Sequence, residues 1–68
     1  MAREVKSVTY CVKVSIWENG LMKKVLSKDI FTKEIDAERF YNECDEEGTV
    51  VQLSKYIGGE TLIEMKKL

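Results

Sequence analysis

Histidine and proline are absent from the 68 residues, and cysteine occurs only as Cys11 and Cys44. Without histidine the chain lacks the most common general base and the most common metal ligand. Two cysteines 33 positions apart, with no CxxC pair, fall short of the four ligands of a structural zinc site. They are also too few for the disulfide framework of a small secreted domain. The expectation is two reduced thiols in a cytoplasmic protein that holds no metal and no cofactor. The four glycines form neither GxGxxG nor GxxxxGK[ST], so both phosphate-cradling loops are missing. Asp45-Glu46-Glu47 lacks the alternating ligand spacing of a calcium loop. No apolar run reaches the length of a membrane span or a signal peptide, so no membrane partner is expected.

What remains is a globular mixture, 44% hydrophobic and 34% charged, long enough for one domain over residues 1–68. A chain this short buries only about 60% of its unfolded surface, so its own core is marginal. The Lys/Glu/Ile-leaning composition is that of small accessory proteins of bacteria or their phages.

Val8, Tyr10, Val12, Val14 and Ile16 alternate with Thr9, Cys11, Lys13 and Ser15. This period of two predicts a strand with one buried face. Glu18-Asn19-Gly20 supplies a turn, and its length decides which faces align. A two-residue loop pairs Glu18 with Leu21, Val14 with Val25 and Val12 with Ser27. A three-residue loop pairs Trp17 with Leu21 and sets Ile16, Val12 and Val8 beside Met22, Leu26 and Ile30. The longer loop aligns more apolar residues and is the expected register. The second strand then runs from Leu21 to Thr32.

Ala37, Phe40, Tyr41 and Cys44 fall at i, i+3, i+4 and i+7, one face of a helix. Asp36 is the expected N-cap, Thr32 the rival start, and Gly48 the stop. Asp45, Glu46 and Glu47 oppose the dipole at the end of such a helix. Thr49–Tyr56 and Thr61–Lys67 read as two further strands around Gly58-Gly59, with Leu53 paired to Met65. The order is ββαββ, an α+β domain with an antiparallel sheet and one helix packed on one face. The expected core is Val8, Tyr10, Val12, Val14, Ile16, Met22, Leu26, Ile30, Ala37, Phe40, Tyr41, Cys44, Val51, Leu53, Ile63 and Met65.

The uncovered sheet face must meet water or another molecule. Cys11, Trp17, Val25 and Phe31 are expected there, and pairing with a second copy to form a homodimer is the simplest way to bury them. Charge is polarised along the chain: residues 1–28 carry +4, residues 29–48 carry −6, residues 49–68 carry +1. The reading favoured is a small non-enzymatic interaction protein that self-associates and binds a protein partner, with Lys13, Ser15, Trp17 and Lys23 in contact. The alternative is a nucleic-acid-binding module using the basic 1–28 hairpin, against which the net charge of −1 and the scarcity of arginine weigh. A third reading places an anionic small ligand at a subunit seam, on Tyr10, Lys24, Lys28 and Tyr56. An enzyme is the least expected class, because a domain this thin forms a concave pocket mostly between subunits.

Overall fold

Five elements follow one another: β1 (Thr9–Glu18), β2 (Leu21–Phe31), α1 (Glu34–Glu43), β3 (Thr49–Tyr56) and β4 (Glu60–Lys67). They are seen in a computed structural model that describes residues 8–68. The four strands form one antiparallel sheet in the order β2-β1-β3-β4, with α1 on one face, which is the expected ββαββ α+β fold. The alternating segment becomes β1 and sits centrally, between its hairpin partner β2 and β3. The body is elongated, 53 × 22 × 16 Å. Arg3, Glu4 and Lys6, counted in the basic amino-terminal charge, lie outside the described residues.

The first hairpin takes the shorter turn. Asn19 (φ 53°) and Gly20 (φ 80°) are both left-handed, the requirement of a two-residue type I′ turn, and Glu18 pairs with Leu21. The three-residue loop with Trp17 beside Leu21 is therefore wrong. Nor does the simple two-residue register continue, because β2 carries two bulges, between the levels of Ile16/Trp17 and Val14/Ser15. Lys23 and Leu26 are the extra residues. Each bulge flips the side on which the next residues point. Val14 consequently faces Ser27, Val12 faces Asp29 and Tyr10 faces Phe31. Met22 and Ile30, expected inside, lie on the sheet face away from the helix, 50% and 58% exposed. Leu26 is also exposed. Phe31, expected outside, turns toward the helix and packs on Phe40 with ring centroids 5.5 Å apart.

The core is smaller than the sequence pattern suggests. Val12 and Val14 of β1, Val51 and Leu53 of β3, and Ala37 and Tyr41 of α1 are its buried members. Tyr10, Phe31, Phe40 and Cys44 form its margin, and Val8 and Ile16 are half-buried. Lys33, not Asp36 or Thr32, occupies the N-cap, and it makes no side-chain cap bond. Asp36 instead lies in the first turn with Glu34, where carboxylates suit the dipole. The helix also ends earlier than Gly48. Cys44 is already extended, and its N–H donates to Tyr41 O at 3.3 Å. Asp45-Glu46-Glu47 thus lies beyond the helix, and Thr49 Oγ1 closes this segment by donating to Glu46 O at 2.6 Å.

β3 has the expected bounds, but β4 pairs one residue differently. The loop is Ile57–Gly59, Tyr56 faces Glu60, and a bulge between Leu53 and Ser54 leaves Ile63 unpaired. Leu53 faces Glu64, and Met65 faces Gln52 on the other side of the sheet. Ile63 and Met65 therefore leave the expected core, 39% and 54% exposed.

Leu53→Ala removes a fully buried side chain beneath Tyr41 and is expected to cost about 2–5 kcal/mol in urea unfolding. Ile30→Ala, at a position the sequence pattern put inside, is expected to shift stability by about 0.5 kcal/mol or less. Equal losses in the two variants would refute this core.

Candidate interaction face

The face opposite α1 is built from β1 residues of odd number and their cross-strand partners. Along the sheet its rows read Met22 and Trp17; Val25, Ser15, Val50 and Lys67; Lys28, Lys13, Gln52 and Met65; Ile30, Cys11, Ser54 and Leu62; Thr9, Tyr56 and Glu60. Among the described residues no element covers this face. The small residues of the two central strands, Cys11, Ser15, Val50 and Ser54, are buried between taller neighbours. The outer strands supply the exposed apolar groups Met22, Val25, Ile30, Leu62 and Met65. Exposed apolar groups gathered on one uncovered face make that face a candidate contact site.

Trp17 belongs to this face but does not stand free. Its backbone N–H donates to Gly48 O at 2.9 Å, and Lys67 Nζ lies 4.3 Å from its ring centroid. An exposed cation–π contact contributes about 0.5–1 kcal/mol and holds the ring against the sheet. In the central row Lys13 stands directly opposite Lys28, a like-charge pair that opposes strand pairing. Beside Lys13, the buried Gln52 Oε1 has no hydrogen-bond donor.

The structure brings Lys13, Ser15 and Trp17 onto one face, although the Ser15 hydroxyl is buried. Lys23 is exposed at the first bulge of β2. The anionic-ligand set is not gathered at one place. Tyr10 packs at the core margin and Lys24 faces Ile16, both on the helix side, whereas Lys28 and Tyr56 lie on the open face. Partial desolvation, joined by Glu60 opposite, raises the Tyr56 phenol. Sequence reasoning missed Leu62 altogether and placed Met22, Ile30 and Met65 inside. The one available signal was Asn19-Gly20, the strongest short hairpin sign, which favours the two-residue turn.

Both cysteines are free and lie on opposite sides of the sheet, Cys11 on the open face and Cys44 near the helix end. Burial pushes the Cys11 thiol up against the contrary pull of Lys28 and Lys13. Burial also raises Cys44 against Lys66, and raises the Tyr41 phenol with help from Glu64. A cavity of about 320 Å³ between α1 and β2 is lined by Leu26, Ser27, Phe40, Cys44, Asp45 and Glu46 among others. The Asp45 and Glu43 carboxylates add to burial in disfavouring the Cys44 thiolate. Among the described residues no cluster of three or more His, Cys, Asp or Glu is arranged to hold a metal, and no helix is long and apolar enough to cross a membrane. No protein-family model, no curated protein and no solved structure matches this chain.

The raised thiols carry a sign for pH. Their protonated form is favoured in the folded chain, so their contribution is complete below the ordinary thiol value of 9.0 and is lost as pH rises past it. The urea midpoint is expected to fall between neutral pH and about pH 10, and less steeply in Cys11→Ala than in the parent. Cys11, buried, is expected to react with iodoacetamide more slowly than the partly exposed Cys44. Faster alkylation of Cys11 would contradict its placement.

Proposed function

We propose that this chain is a small non-enzymatic interaction protein that associates with its own copy and, through the open sheet face, binds a protein partner. The observation that carries this reading is the exposed apolar set Met22, Val25, Ile30, Leu62 and Met65 on one uncovered face. Lys13, Lys28 and Lys67 stand among these residues, and they suit a partner that presents carboxylates between apolar side chains. The partner-binding group Lys13, Ser15, Trp17 and Lys23 is proposed at the centre and turn end of this surface. The reduced thiols favour a cytoplasmic setting.

The nucleic-acid reading draws on the same lysines beside Trp17. Two features weigh against it. Trp17 already carries Lys67 over its ring, and an apolar margin gives phosphates nothing to bind. The anionic-ligand reading is weaker still, because Tyr10 and Lys24 face the helix while Lys28 and Tyr56 face away.

Affinity capture from the native host tests the proposal with two variants. A captured protein is expected to persist after nuclease treatment and with Ile35→Glu, an exposed helix position, and to be lost with Ile30→Glu. Retention by Ile30→Glu would sink the open-face assignment, and loss on nuclease treatment would transfer it to nucleic acid.

A further inference from the structure

We propose that two copies of the chain join β4 to β4 across a two-fold axis at Met65, making one continuous eight-stranded sheet from two four-stranded ones. This specifies the self-association half of the reading above, and it rests on the sheet edge instead of the open face.

The sheet has two edges, β2 and β4. The β2 edge is broken by two bulges and carries Lys23, Lys24 and Lys28, all devices that prevent strand addition. The β4 edge has its bulge at Ile63. Beyond it, Glu64, Met65, Lys66 and Lys67 pair regularly with Leu53, Gln52, Val51 and Val50. The Leu68 N–H donates inward to Thr49 O at 2.9 Å. By the alternation of an antiparallel ladder, Lys66 and Glu64 also turn their backbone groups inward, and Met65 and Lys67 turn theirs outward. Met65 therefore presents an N–H and a C=O to an incoming strand.

Charge selects the register. In a continuous sheet, opposed residues share a face, so a two-fold axis in this stretch passes through one residue. An axis at Glu64, Lys66 or Lys67 opposes that residue to its own copy, a like-charge pair. At Met65, each Glu64 opposes the other copy's Lys66 and the two Met65 side chains meet, giving two reciprocal opposite-charge pairs. These pairs are the non-hydrogen-bonded kind, in which side chains approach most closely. Lys66 is held ready on the helix side. Its Nζ donates to Tyr41 O at 2.7 Å and lies 4.6 Å from the Tyr41 ring centroid, leaving two further donors. The exposed Leu62, Ile63, Met65 and Leu68 give the same edge apolar surface to bury.

Light scattering over a concentration series reads the outcome, with circular dichroism checking the fold of each variant. The parent is expected to approach twice 7.9 kDa as concentration rises. Glu64→Lys and Lys66→Glu are each expected to weaken self-association about tenfold or more, and an equimolar mixture of the two to recover a one-to-one heterodimer by native mass spectrometry. If Lys66→Glu fails to fold for want of its Tyr41 contact, Glu64→Lys alone decides. A parent that stays at 7.9 kDa overturns the proposal, as does a Glu64→Lys variant that associates like the parent. A dimer lost with Ile30→Glu but kept with Glu64→Lys overturns it too, while leaving the open face as the contact surface.

Discussion

Val12 opposite Leu53 and Val14 opposite Val51 make a four-residue apolar tile, and Ala37 and Tyr41 sit on it. Removal of that contact from water is the main force holding helix to sheet, at roughly 25 cal/mol per Å² of apolar surface. Its limits shape the rest of the molecule. A ten-residue helix is about 15 Å long, while the ten residues of β1 extend about 33 Å. One short cylinder therefore shelters the middle of two strands and leaves β2 and β4 wet. On the far side of the sheet no described element covers the exposed hydrophobic side chains of those outer strands.

The same shortage of cover explains what could be read from the sequence. β1 and β3 were legible because the tile needs their alternation, and the bounds of β3 were read without error. The helix face Ala37, Phe40, Tyr41 and Cys44 was legible for the same reason. β2 was not. Choosing the register that buries the most apolar residues assumes enough cover to bury them, and a single helix does not provide it. Asn19 and Gly20 set the turn locally, and the bulges at Lys23 and Leu26 absorbed the mismatch. The candidate residues divided along the same line. Lys13, Ser15 and Trp17 share an unbroken alternation and lie on one face. Lys24 and Lys28 lie on either side of a bulge and part company.

Electrostatics reinforces the difference between the two sides. Acidic Glu34 and Asp36 lie in the first turn of the helix, and Asp45 and Glu46 line the cavity beside its far end. The centre of the other side carries Lys13 and Lys28 as cross-strand partners. Like charges so arranged weaken the β1–β2 pairing slightly, and they are relieved by any negative group laid across them.

Gly48 has a bearing on both sides at once. Its left-handed φ of 82° lets its N–H reach Leu68 O while its C=O accepts from Trp17. The acidic stretch Asp45–Glu47 leads directly into it, and Lys67, the cap on the tryptophan ring, precedes Leu68. One residue is thus a mechanical rivet between the acidic strap beside the cavity and the aromatic corner on the opposite surface. Any L-side chain there would strain the left-handed backbone and loosen both anchorages together.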